Sequence, residues 1–283
     1  MRTLQHKIDF AALVTVNKAN PNGDPLNGNR PRTTYQGFGE ISDVCIKRKI
    51  RNRLQDMGEN IFVQSNERAD DGKKSLSERA ALISAKTGDE YARLACEQWI
   101  DVRSFGQVFA FKNKEKDKKG EGVSISVRGP VSIHQAVSVS AVDINSLQIT
   151  KSVNSEPSDK KSSDTMGAKH MIEFGLYVIK GSINVQLAEK TGFSEEDAEK
   201  IKESLRTLFE NDASAARPDG SMEVYQLYWW RHKDKTGQYS SAKVHRSLSV
   251  KQKDESKIPE SVADYEITLA SLEGLEPEII NGI

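Results

Sequence analysis

Cysteine is nearly absent from this 283-residue chain, and the two that occur, Cys45 and Cys96, stand alone. Neither has a CxxC partner or a Cys/His neighbour at ligand spacing, so both read as reduced thiols of a cytosolic protein. Histidine is scarce as well: His6, His134, His170, His232 and His245 are never paired at the spacing zinc requires. No apolar run approaches the ~18 residues of a membrane helix, and Met1–Lys7 carries no signal-peptide core. Net charge is missing too, since 41 Lys and Arg balance 41 Asp and Glu. The GxSxG, HExxH and GxxxxGKS/T patterns are all absent, which removes the common serine-hydrolase, zinc-protease and P-loop chemistries. No carboxylate pair is clustered; Asp24, Asp43 and Asp101 each stand singly, where an Asp beside a turn is ordinarily a cap.

What is present is a stretch rich in turn formers, Asn20-Pro21-Asn22-Gly23-Asp24-Pro25-Leu26-Asn27-Gly28-Asn29-Arg30-Pro31-Arg32. Its prolines and glycines forbid a helix or an interior strand. Asn20, Asn22 and Asp24 imitate the start of a calcium loop, but Pro25 and Pro31 occupy the positions that need Gly and Glu, so no metal is expected. The zero net charge conceals strong segregation. Arg30–Arg53 has seven cations against two acids, Arg231–Lys253 seven against one, and Asp254–Ile283 eight acids against Lys257. Such separation predicts a surface for a polyanion and a second surface for a basic neighbour.

In chain order, the near-continuous apolar run Ile8–Asn17 predicts a central strand covered on at least one face. A helix follows from an N-cap at Ser42 to Met57, stopped by Gly58, with Ile46, Ile50, Leu54 and Met57 on one stripe and Lys47, Arg48, Lys49, Arg51 and Arg53 elsewhere. Residues 59–100 read as a helical insertion, with short helices near Leu76–Ala85 and Asp89–Trp99. Asp101–Phe111 reads as strand, 112–122 as a charged mobile loop, and Val123–Val127 as a half-buried strand. The polar run 151–164, flanked by strand-like segments, predicts a protruding hairpin arm. Ile172–Leu187 reads as a long strand, Ser194–Asp197 opens a helix with a capping box, and Met222–Trp230 is an aromatic strand. Without its insertions the order is βαββαβ. The expected class is therefore α+β: a ferredoxin-like, RNA-recognition-motif palm with helical and hairpin insertions.

Arg30, Arg32, Lys47, Arg48 and Arg51 lie close along the chain, the pattern by which cations follow a nucleic-acid backbone without reading sequence. Tyr225, Tyr228, Trp229 and Trp230 offer stacking surfaces for bases, although strand core is the commoner fate of such residues.

The motif Asn20–Thr33 resembles the backbone subunit of type I CRISPR surveillance complexes, the Cas-seven family, and within it the type I-C branch. Ser42–Arg51, Asp101–Gly106, Arg128–Val131, Thr165–His170, Phe174–Tyr177 and Ser214–Arg217 agree in the same order. The resemblance implies a hand-shaped protein: palm at 1–58, 101–137 and 173–253, fingers at 59–100, a thumb hairpin at 138–172 and an acidic segment at 254–283. It implies a non-catalytic scaffold, without cofactor or metal, that polymerises along a CRISPR RNA in a prokaryotic cytoplasm so that the guide can pair with target DNA. Its partners would be further copies of itself, a guide 5′-end cap protein, the large and small subunits and a recruited helicase-nuclease, with no membrane. The family motif carries RNA contact onto Asn22, Arg30, Arg32, Lys47, Arg48, Arg51, Met166, Lys169 and His170. The alternative reading is a metal-dependent ribonuclease subunit of a type III-like complex. The tandem Trp229-Trp230 and the acidic end depart from the family pattern.

Overall fold

A computed structural model describes residues 2–111, 123–150 and 166–283. Its centre is β1 (Ile8–Ala19), whose first nine residues are all buried. The turn-rich loop follows, closed by the two-residue ladder of β2 (Gly23–Asp24) and β3 (Arg30–Pro31). β4 (Phe38–Ile41) then leads into α1 (Asp43–Asp56). The helix starts where the sequence places it: Ser42 Oγ accepts a hydrogen bond from the Cys45 amide at 3.3 Å, satisfying one of the orphan donors of the first turn. Ile46, Ile50 and Leu54 are buried, while Met57 remains 36% exposed and contributes little to the stripe.

The helical insertion contains α2 (Leu76–Ala80) and α3 (Gly88–Gln98). One expectation fails directly after it. Residues 101–105 are not strand but part of α4 (Ile100–Phe105). Trp99, Val102 and Phe105 recur every three residues, a helical spacing that the strand reading passed over. Gly106, at φ +80°, ends the helix and opens the hairpin of β5 (Gly106–Phe111) and β6 (Val123–Arg128). This hairpin forms its own two-stranded sheet and does not join the central one. It closes over the insertion around Phe62, whose ring lies 4.8 Å from Trp99 and 5.1 Å from Phe109. The charged loop expected at 112–122 lies outside the described residues.

β7 (Val131–Ile133), β8 (Ala136–Ala141) and β9 (Ile144–Thr150) precede β10 (Met166–Ile183), a strand with two tasks. From Ile172 to Ile183 it pairs with β1, and from Met166 to Ile172 it pairs with β9 in the register Thr150↔Met166 to Ile144↔Ile172. The expected hairpin arm is therefore an extension of a central strand. The polar run 151–164 at its tip lies outside the described residues. The strand ends at Ile183, earlier than the sequence suggested, because Asn184 caps α5 (Val185–Thr191). α6 (Glu195–Arg206) opens with the expected capping box between Ser194 and Asp197, and β11 (Met222–Arg231) returns to pair with β1. α7 (Ser241–Ser247), β12 (Leu248–Gln252), β13 (Tyr265–Leu269) and β14 (Glu278–Asn281) complete the chain.

The main antiparallel sheet runs β14–β11–β1–β10–β8–β4, with β7 and β9 also on β10. Alternation along β1 builds a core on each face. Phe10, Ala12, Val14 and Val16 pack with Ile46, Ile50 and Leu54 of α1 and Ala198, Ile201 and Leu205 of α6. Ala11 and Leu13 face the other way, against Val244, Leu248, Tyr265, Leu272 and Leu275. The acidic end is thus the second cover of the sheet, and its last strand extends the sheet at β11. The strand aromatics divide between the two cores. Trp229 stacks on Phe10 at 5.5 Å, and Tyr228 and Trp230 lie on the opposite face. With 2%, 3% and 1% exposure they are core, not a stacking platform; only Tyr225 is exposed.

Candidate nucleic-acid interface

The turn-rich loop is held from within. Gly28 and Asn29 take left-handed φ values of +57° and +59°, a conformation that Gly and Asn tolerate best. The Asp24 carboxylate accepts from the Leu26 amide at 3.2 Å and pairs with Arg32 at 3.3 Å. It is a cap. Asn22 is a clamp: its Oδ1 accepts from both the amide and the hydroxyl of Ser42 at 2.9 Å. The carbonyl of Asn22 accepts from the Arg32 amide at 3.0 Å. One side chain thereby fixes the loop to the N-cap of α1.

Arg30 leaves this loop toward the base of the hairpin arm. Its Nη1 donates to Ser146 Oγ at 2.9 Å and lies 3.5 Å from His170 Nδ1, which is itself 2.9 Å from Ser146 Oγ. Ser146 and His170 face each other because β9 and β10 pair them directly. Guanidinium, imidazole and hydroxyl converge here with no carboxylate among the described residues in the contact, a donor set suited to phosphate oxygens. Lys169 is half-buried one residue earlier, opposite Leu147. Met166 begins β10, and its side chain is outside the described residues.

The basic helix is less open than its composition suggests, because each of its cations has an intramolecular partner. Lys47 pairs with Asp43 at 3.0 Å, one turn back. Arg48 donates to the Val63 carbonyl at 2.8 Å; burial, then repulsion from Arg51, pulls its pKa below the ordinary arginine value, against the attraction of Asp101. Lys49 is buried on Asp212 and beneath the Phe209 ring, and desolvation outweighs Asp212 to lower its pKa. Arg51 pairs with the fully buried Asp101 at 2.9 Å and lies over Phe105. Arg53 reaches Glu210 at 2.6 Å. Of the three helix residues singled out from sequence, only Lys47 has an ion pair that solvent weakens; Arg48 and Arg51 fasten α1 to the helical insertion through Val63 and to Asp101 of α4.

Ser146 was not legible as a site residue, since nothing but strand register brings it to Arg30. Two side chains of the loop region also escaped notice: Leu26 and Tyr35 are fully exposed beside Asp24 and Thr34. Among the described residues, no three of His, Cys, Asp and Glu converge as a metal would require.

Sheet, helical insertion and hairpin arm define a mixed α/β protein whose turn-rich loop meets the base of the arm. A family profile described as CRISPR-associated protein Cas7 matches residues 6–270, and the chain belongs to that family. A curated relative from Haloferax volcanii, CRISPR-associated protein Cas7, is 27% identical over 215 residues. The match covers 70% of this chain and 63% of that relative's length. Among solved structures, a chain of a CRISPR RNA-guided surveillance complex in a pre-nicking state shares the fold, with a TM-score of 0.50, 17% identity and 83% of each chain covered. A chain of a second CRISPR RNA-guided surveillance complex matches with a TM-score of 0.44 and 18% identity, over 79% of this chain and 68% of that one.

Proposed function

We propose that this chain is a non-catalytic CRISPR RNA-binding scaffold that repeats along a guide RNA as the backbone of a type I-C surveillance complex. The observation that carries the reading is the meeting of Arg30 with Ser146 and His170. It joins the loop before α1 to the root of the arm in one cluster, free of carboxylates among the described residues, where a phosphodiester would be held without any reading of its base. Family membership and the likeness of fold support it.

In this reading β11–β1–β10–β8, with α1 and α6 on one face, is the ferredoxin-like palm. Residues 59–105 with the β5–β6 hairpin are the fingers, a larger unit than the sequence delimited, and the β9–β10 hairpin is the thumb that reaches a neighbouring copy. Asn22, Arg48 and Arg51 position the contact surface, while Arg30, Arg32, Lys47, Lys169 and His170 face the guide, with Met166 at the thumb base. Target DNA meets the complex through the guide. The cap protein, the large and small subunits and the helicase-nuclease are partners of the assembly. The ribonuclease alternative needs a loop aspartate free for metal, and Asp24 is committed to Leu26 and Arg32.

Co-expression with a CRISPR array tests the proposal. The purified protein should retain processed guide RNA, and complementary RNA with divalent metal should stay intact. Metal-dependent cutting that is lost on Asp24→Ala would overturn it.

A further inference from the structure

On the sheet face opposite α1 and α6, an open cleft of about 450 Å³ lies between β8 and β10 on one side and α7 with β12 on the other. Lys180 of β10 and Arg246 of α7 stand on its two walls, joined by His134, His245, Gln135, Ser138 and Ser249. Among the described residues no carboxylate lines it, and no ion pair joins Lys180 or Arg246 to an acid. The contrast with α1 is sharp, for there every cation has a partner in the chain.

His245 is 5% exposed, contacts the Gly181 carbonyl through Nε2 at 3.0 Å, and meets the His134 ring edge-on at 5.6 Å. An Nε2–H donor is the tautomer that such a carbonyl selects. Burial chiefly, with added repulsion from His134 and Lys180, lowers the pKa of His245 against the pull of the Gly181 carbonyl and Asp9. The positive charge of the walls comes from Lys180 and Arg246, with no acid among the described lining residues. Its floor is aliphatic, formed by Val139, Val178, Leu248 and Val250. Cations on opposing walls, flat imidazoles and an apolar floor are the parts that a nucleotide needs: charge for the phosphate and surface for the base.

We infer that this cleft is a second binding site for single-stranded nucleic acid, separate from the Arg30–His170 cluster, holding one backbone phosphate on Lys180 and the next on Arg246. The inference stands on the cleft alone and does not require the scaffold reading. The cleft sits across the sheet from α1, so one subunit would engage two strand segments at once. The cations fix the phosphate chemistry only; whether the strand is RNA or DNA is decided by the arms of the test.

The full-length chain is titrated with fluorescent U12 and, separately, dT12, and each oligomer is also made with photoreactive bases so that cross-linked peptides can be mapped. Adducts should appear on peptides carrying His134 or residues 243–250 with at least one of the oligomers. In Lys180→Gln/Arg246→Gln those adducts should vanish, binding should weaken about tenfold, and the salt slope should fall by roughly 1.4, two phosphate contacts at about 0.7 each. Arg246→Gln alone, at an exposed position, gives a variant whose folding is not in question and should show half that slope change. Adducts confined to the Arg30 and His170 peptides, with unchanged binding by the variants, would overturn the cleft and leave the scaffold standing. Adducts at the cleft alone would uphold it and contradict the Arg30–His170 interface. Equal displacement of either oligomer by an octaglutamate peptide would make the cleft a site for acidic protein and overturn the inference.

Discussion

Arg51 Nε donates to Asp101 Oδ2 at 2.9 Å across 50 residues of sequence. Asp101 is fully buried, and its carboxylate also accepts from the amides of Phe62 at 2.7 Å and Val63 at 3.1 Å. A helix cation that sequence suggests is solvent-facing is thus the joint between α1 and the inserted lobe. Asp101→Ala would leave Arg51 and two amides without their acceptor. The expected loss is about 3–5 kcal/mol, the usual cost of removing one partner from a buried ion pair. Urea denaturation measures it, and a loss below about 1 kcal/mol would show that the pair is not a joint.

The Arg30 cluster makes a different prediction. Arg30→Ala and His170→Ala should leave the melting temperature nearly unchanged, because both side chains lie at the surface side of the loop–arm contact. Affinity for a 30-nucleotide RNA should fall for each variant, and Arg30→Ala should lower the salt slope by roughly 0.7, one phosphate contact on a single strand. Fluorescence anisotropy at several salt concentrations reads both quantities. An unaltered slope for Arg30→Ala would remove Arg30 from the interface.

Trp229 tests the core assignment of the aromatic strand. It is 2% exposed and stacked on Phe10, so Trp229→Ala should cost about 3–5 kcal/mol. Trp229→Phe should remain folded and bind RNA as well as the parent chain. Weakened RNA binding by a folded Trp229→Phe protein would contradict a purely structural role.

The buried His245 gives the protein a pH dependence of known sign. Burial first, then His134 and Lys180, hold its folded-state pKa below the ordinary 6.5, while the Gly181 carbonyl and Asp9 pull the other way. Below pH 6.5 the unfolded chain takes up a proton that the folded chain resists, so stability falls as pH drops from 6.5 toward the lower folded value. Above 6.5 both states are neutral at this site and its contribution is constant. Denaturation midpoints between pH 7.5 and 5 should show the decline, and His245→Gln should flatten it. An unchanged decline in that variant would assign the effect to other groups.

Much of the fold was legible because it rests on local rules. Apolar continuity marked β1, Ser42 and Gly58 bounded α1, Ser194 and Asp197 opened α6, and the polar run between strand-like flanks marked the arm. In the segment 101–105, the buried Asp101 and Ser104 interrupt the apolar pattern, and the helical spacing shows only when Trp99, before it, is counted with Val102 and Phe105. α7 and the second cover of the sheet were missed for another reason. α7 is short and basic and the segment after residue 254 is acidic, so their composition hid a cover, although Val244, Tyr265, Leu272 and Leu275 are buried. At the site, sequence named the cations of α1 but not their direction. Asp101 and Asp212 lie 50 residues or more from Arg51 and Lys49, and only the folded chain brings them together. Ser146 depends wholly on strand register, which no motif announces.

The most direct test of the scaffold reading is the mass of the complex formed on RNA of increasing length, determined by sedimentation. If the chain repeats along a guide, each fixed increment of nucleotides should add one further copy, giving a staircase of masses on intact RNA. One copy per RNA at every length, or RNA shortened during the run, would contradict it.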